Sequence, residues 1–218
     1  MNGQCTRLLL AGEYICDVRY PNEFEILQDE LQQEQIDGWL AGINMRLARL
    51  NETGAFFMAP LVVTSDDHAR LRRELLDFRD VYGPAIVMLD LIRQADSLGI
   101  TLSPGEYIPL YELEQAVVNQ GTLEMLLRTK LAVINEGNPR NSVRENLRRL
   151  LMHLAKDGYV FLASKETETY RVTGKIEQLY AVLQFLSENR VIPDTDVDES
   201  EIEDPDLIDL ANAEEDEP

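Results

Sequence analysis

Gly12-Glu13-Tyr14-Ile15 returns 93 residues later as Gly105-Glu106-Tyr107-Ile108, and the flanks of the two copies decide the fold. Before the first copy lies Leu8-Leu9-Leu10-Ala11. Before the second lies a helix-like stretch from Ala85 to Leu98, apolar at Ile86, Val87, Met88, Leu89, Leu91 and Ile92. A helix apolar on most faces belongs at the centre of a core. After the copies come helical segments: Phe24, Leu27, Gln28 and Leu31 in one, Leu110, Leu113, Ala116 and Val117 in the other. The second set keeps the helical spacing of an apolar face.

Each half then carries a hairpin signal, aromatic and β-branched runs around a polar turn. In the first, Arg46 to Leu50 and Ala55 to Ala59 flank Asn51 to Gly54; in the second, Tyr159 to Ala163 and Thr169 to Thr173 flank Ser164 to Glu168. Helix, short extended piece, helices, hairpin is the winged-helix plan, in which the short strand pairs with the wing. The expected fold is therefore α+β and mostly helical, with tandem winged-helix domains and two small β wings. The first domain spans residues 1–64 and the second residues 85–193, with a connecting helix over 65–84. That helix should begin at Ser65 or Asp66, show the stripe Leu71, Leu75, Phe78 and Tyr82, and stop near Gly83-Pro84. The second copy needs about 21 more residues to reach its wing, an insertion placed near residues 121–141. Ile176, Leu179, Tyr180 and Leu183 make a last helix, ended around Pro193. Two unrelated α+β domains would fit the same patterns.

Charge is unevenly spread. The 218 residues carry a formal −20, of which 13 acidic residues and no basic one lie in residues 194–218. Apolar content there is too low to offset ordering entropy, so this acidic tail is expected to be disordered. A polyanion beside a basic patch would compete with DNA, unless Leu207-Ile208-Asp209-Leu210 is a docking motif. No stretch approaches the ~18–20 apolar residues of a membrane helix, and Leu8-Leu9-Leu10 is too short for a signal peptide. A cytoplasmic protein with no membrane association is expected.

Catalytic signals are missing. Cys5 and Cys16 cannot make a disulfide framework and read as buried or bystander thiols. His68 and His153, 85 residues apart, give no zinc set. The 12 glycines never form a phosphate-cradling loop. Gly38-Trp39-Leu40-Ala41-Gly42 has the GxxxG spacing, which outside a membrane span marks close helix packing or a helix end. No enzyme, no cofactor and no metal are expected.

One segment can carry a binding function. Ser142 and Glu145 fit a capping box opening a helix, which runs to Gly158 with Val143, Leu147, Leu150, Leu151 and Leu154 buried. As the last helix before the wing, it holds the place of a recognition helix. Arg144 and Arg148 lie one turn apart on its flank, Arg149 and Lys156 on its exposed side, and Arg140 just upstream. Residues 128–175 hold ten basic and five acidic residues, a local +5. Such a patch suits phosphate contact. With Lys165 and Arg171 of the second wing, these seven are the candidate DNA-binding residues, and with no clear base-reading set their contact should be mostly to backbone. An ordinary solvated helix face is the alternative. The first half lacks such a helix: acidic Glu34 and Asp37 give way to Trp39, Leu40, Ile43 and Leu47, better suited to protein contact. Trp39, the single tryptophan, is expected in the core.

Taken in order, the wing Thr53-Gly-Ala-Phe-Phe-Met-Ala-Pro60, the Ser142–Gly158 helix with Leu147-Arg148-Arg149-Leu150, the wing Tyr159–Thr173 and the Glu-rich terminus carry a resemblance. The chain resembles the MukE family of bacterial condensin accessory subunits, most closely its MksE branch, over nearly its whole length. No single piece is diagnostic; order and spacing carry the match. The resemblance implies a KITE-type tandem winged-helix subunit without catalytic activity. It implies a homodimer through the first copy, a kleisin partner (MksF/MukF-like) and, through the kleisin, an SMC ATPase (MksB/MukB-like). It further implies non-specific DNA contact through the second copy and a nucleoid-associated role in chromosome organisation, segregation or plasmid defence. The N-terminus is more compact than in the longer MukE proteins, so dimer details transfer less directly. A winged-helix transcription regulator binding specific DNA is the competing expectation.

Overall fold

In the computed structural model, residues 3–76, 78–95, 101–134 and 140–188 are described. The repeated tetrapeptide does the same work twice. Gly12 and Gly105 take φ of +77° and +90°, a left-handed backbone that glycine adopts without a Cβ clash. Ile15 and Ile108, three residues on, are fully buried. Ile15 exchanges both backbone hydrogen bonds with Phe56, at 2.8 and 2.9 Å. Ile108 pairs with Tyr170. Each copy thus turns the chain beside the hairpin of its own half, the first through a single bridge at Ile15 and the second through a three-residue strand.

The first half contains α1 (Gly3–Leu10), α2 (Pro21–Ile26), α3 (Glu30–Ala41), β1 (Met45–Arg49) and β2 (Phe56–Pro60). Its core gathers Cys5, Leu9, Ile15, Leu27, Ile36, Leu40 and Phe56. Burying each large apolar side chain contributes about 1.5–3 kcal/mol. The helical continuation expected through Leu31 is interrupted. Asp29 accepts a hydrogen bond from Leu31 N at 2.9 Å and caps a new helix, which leaves Leu31 65% exposed.

α4 (Ser65–Leu76) follows, capped by Thr64, whose hydroxyl accepts from Asp67 N at 3.3 Å while Thr64 N donates to Asp67 Oδ2 at 3.0 Å. α5 (Phe78–Gln94) then runs through Gly83-Pro84, where the sequence predicts a helix end. Pro84 forfeits one helical hydrogen bond. Gly83, however, has no Cβ to clash with the proline ring, which lifts the usual bar on helical backbone before proline. The same glycine allows close packing, because a Cβ there would lie 2.7 Å from Ile134 Cγ2. The stripe expected along the connecting helix is divided accordingly. Leu71 in α4 is exposed, while Tyr82 is buried as part of α5.

β3 (Tyr107–Pro109), α6 (Leu110–Asn119), α7 (Gly121–Val133), α8 (Val143–Lys156), β4 (Val160–Ser164) and β5 (Thr169–Val172) build the second half. Its sheet has the order β3-β5-β4, all antiparallel. α7 has no counterpart in the first half and occupies most of the expected insertion. Leu123, Leu127 and Leu131 bury one face of it. The last helix, α9 (Ile176–Glu188), begins in the unit Met1–Ala181 and ends in the unit Val182–Pro218. The acidic tail, residues 194–218, lies outside the described residues.

Within the first unit the two halves meet at the turn before α9. Gly174 N donates to Cys16 Sγ at 3.2 Å. The Lys175 ammonium lies 5.2 Å from the ring centroids of both Tyr14 and Tyr159, and donates to Asp157 O at 2.6 Å. A Cβ on Gly174 would stand 2.7 Å from Cys16 Cβ and 3.3 Å from Ala55 Cβ. Both cysteines are buried thiols, and Cys16 serves this seam.

Candidate nucleic-acid interface

α8 starts where the sequence places it. Ser142 N donates to Glu145 Oε2 at 2.7 Å and Glu145 N donates to Ser142 Oγ at 3.2 Å, closing the capping box. Gly158, at φ +83°, turns the chain out of the helix. Val143, Leu147, Leu150, Leu151 and Leu154 are buried as anticipated, joined by Asn146. Burying that face fixes the others. Glu145, Arg149, Met152 and Lys156 form the outer stripe, with Met152 59% exposed at its middle.

Arg144 and Arg148, on the flank, are not open cations. Arg144 donates to Glu114 of α6 at 2.6 Å and also to Glu168. Arg148 donates through Nε and Nη2 to the two oxygens of Glu168, at 2.7 and 3.1 Å. Two carboxylates and two guanidiniums therefore cancel in one cluster. It ties α6, α8 and the β4–β5 turn together, and Leu110 N also donates to the Glu168 carbonyl at 3.2 Å. Glu168 closes the turn with φ +48°, a conformation costing an L-residue about 1–2 kcal/mol.

Hydrogen bonds from Arg148, then from Arg144, hold the Glu168 carboxyl at about 2 against an ordinary 4.5, although burial opposes them. The same contacts raise both arginines. A carboxyl depressed by folding adds stability that is complete above its unfolded value. This contribution is therefore intact above pH 4.5 and is lost as pH falls through about 2.

The other candidates divide. Arg140 is exposed just ahead of the cap, and Lys165 is exposed in the β4–β5 turn. Arg171 is occupied, donating from Nε to Gly105 O at 3.0 Å with its guanidinium 5.1 Å from the Tyr107 ring centroid. Elsewhere in the basic stretch, Arg128 pairs with Glu124 at 3.0 Å and Lys130 with Asp90 at 3.6 Å. Arg140, Arg149, Lys156 and Lys165 are thus exposed, and Arg144, Arg148 and Arg171 bond to Glu114, Glu168 and Gly105. Sequence reasoning missed Glu114 and Glu168. Nothing in a linear count signals that acids 30 and 24 residues from Arg144 converge on it.

The first half offers a different surface. Trp39 is 37% exposed rather than in the core, because it stands at the edge of the α3 face that buries Ile36 and Leu40. Ile43, Leu61, Val62 and Val63 are also exposed, and Leu61 N donates to Asn44 O at 3.1 Å. Beside them, between α3 and the β1–β2 hairpin, Glu34, Asp37, Arg46 and Leu61 line an open cleft of about 380 Å³.

Among the described residues, no cluster of His, Cys, Asp and Glu could hold a metal ion, and no helix is long and apolar enough to cross a membrane. The family model for condensin complex protein MksE matches residues 4–186 of the chain. No curated protein matches it.

Proposed function

Because the chain belongs to the MksE family of condensin complex proteins, we propose that it is a non-catalytic accessory subunit that binds the kleisin (MksF/MukF-like) of an SMC complex. Through the kleisin it joins the SMC ATPase (MksB/MukB-like), acting in the cytoplasm at the nucleoid in chromosome organisation, segregation or plasmid defence. The family match over residues 4–186 carries this reading. In it each half is a winged helix, residues 1–64 forming the first and residues 85–193 the second, with residues 65–84 connecting them. Support comes from the two tetrapeptides, one bridged at Ile15 and one paired as a strand, each to the hairpin of its own half. The first half is the protein-contact module and homodimerises. Its exposed Trp39, Ile43, Leu61 and Val62 supply the apolar surface that such contact needs.

Co-expression with the kleisin and SMC subunits of the same genome tests the assignment. The expected result is one co-eluting complex, with light scattering giving the isolated chain the mass of a dimer. A chain that elutes alone overturns the subunit role. A monomer at micromolar concentration overturns the dimer.

DNA contact in this reading falls to the outer stripe of α8 and the β4–β5 turn. Reversing Arg149 and Lys156 to Glu should weaken binding to duplexes of any sequence. The dependence of log affinity on log salt should fall by about 0.9 for each phosphate no longer neutralised. Both residues lie off the buried face, so thermal stability should hold. An unchanged salt slope would return them to an ordinary solvated face. Tight binding of one particular sequence by the isolated dimer would favour a transcription regulator instead.

A further inference from the structure

Carboxylate and phosphate present guanidinium with the same acceptor geometry, two oxygens matched to two N–H donors. Arg148 already makes that forked contact with Glu168, and Arg144 spans Glu168 and Glu114. The cluster is reachable: the side chains of Arg144, Arg148 and Glu168 are 36, 39 and 28% exposed. It sits on the flank of the helix whose outer stripe carries Arg149 and Lys156. We infer that Glu168, assisted by Glu114, is an internal phosphate mimic that latches Arg144 and Arg148 against the protein, and that a DNA backbone must displace it to recruit them. This rests on the DNA-contact reading above and adds a regulatory element to the same surface.

Two further observations favour a latch. Glu168 holds a left-handed backbone where glycine would sit without strain, so the turn geometry alone does not call for a glutamate. The groups facing its carboxylate are Arg144, Arg148 and the Tyr170 ring, and the arginines hold it ionised down to about pH 2. Protonation therefore does not open the latch near neutral pH. A competing oxyanion does, by exchanging one charged acceptor for another. Latched, the two arginines neutralise no phosphate and add nothing to the salt slope.

The test is binding of the full chain to a mixed-sequence DNA duplex over a range of salt. Glu168→Gly removes the carboxylate and suits the turn. It should tighten binding by about tenfold and steepen the salt slope by about 0.9 as Arg148 is released, approaching about 1.8 only where phosphate also displaces Glu114 from Arg144. Glu166→Gln removes the same charge from the same turn without touching either arginine, and should strengthen binding much less. Adding Arg144→Gln and Arg148→Gln to Glu168→Gly should cancel the improvement. Should Glu168→Gly bind no better than Glu166→Gln, or more weakly than the unaltered chain, the latch is wrong and Glu168 only braces the wing. Failure of the DNA reading itself looks different: reversing Arg149 and Lys156 would then leave binding unchanged.

Discussion

Ile15→Ala and Ile108→Ala should each destabilise the protein by about 2–4 kcal/mol, within the usual range for isoleucine truncation in a core. Both side chains are fully buried, each at the equivalent point of a repeated tetrapeptide. Truncation removes three carbons from close packing and leaves a cavity that the paired strand cannot easily collapse. The backbone bonds of Ile15 to Phe56, and of Ile108 in the strand beside Tyr170, would persist. The loss is therefore one of packing rather than of strand pairing. For a chain of this size each kcal/mol lowers Tm by about 2–4 °C, so thermal melts should fall by about 4–16 °C. Tyr107→Ala, at the exposed neighbouring position, is the matched control and should cost far less. An Ile108→Ala melt within a degree or two of the control would mean that the tetrapeptide does not anchor the second core.

Gly174→Ala carries the next largest effect, about 1–3 kcal/mol from overpacking. The added methyl would meet Cys16 Cβ at 2.7 Å, Ala55 Cβ at 3.3 Å and Cys16 Sγ at 3.4 Å. None of these is the far end of a flexible side chain, so backbone must shift. Gly121→Ala provides the contrast, because nothing lies within 4 Å of a Cβ there, and alanine is the better helix former. A double-mutant cycle locates the strain: Gly174→Ala should cost less in a Cys16→Gly background than in the unaltered chain. Equal costs in the two backgrounds, measured by denaturant unfolding, would place the clash elsewhere.

Local rules made much of this fold legible. The capping box at Ser142, the helix end at Gly158 and both hairpins follow from short-range chemistry, and each lies within a residue or two of its expected place. Departures begin where a distant neighbour decides the outcome. Gly83-Pro84 reads as a helix end, yet helix persists because the missing Cβ spares the proline and admits Ile134. Trp39 reads as core by its size, but the α3 positions turned inward are Ile36 and Leu40. The candidate interface was legible only as a charge excess. Which cations stay on the outside depended on Glu114 and Glu168, brought to Arg144 and Arg148 by the packing of α6 and the wing on α8.

The seam at Gly174 has a mechanical consequence. Two modules joined by a slack tether reorient independently, but a close-packed joint has no spare volume in which to turn. Here Gly174 is wedged against Cys16 and Ala55, and Lys175 is held between rings from both halves. The joint between the halves is therefore packed like a crank rather than a universal joint. Were the first half held by a partner, as proposed, that grip would set the direction in which Arg149 and Lys156 face.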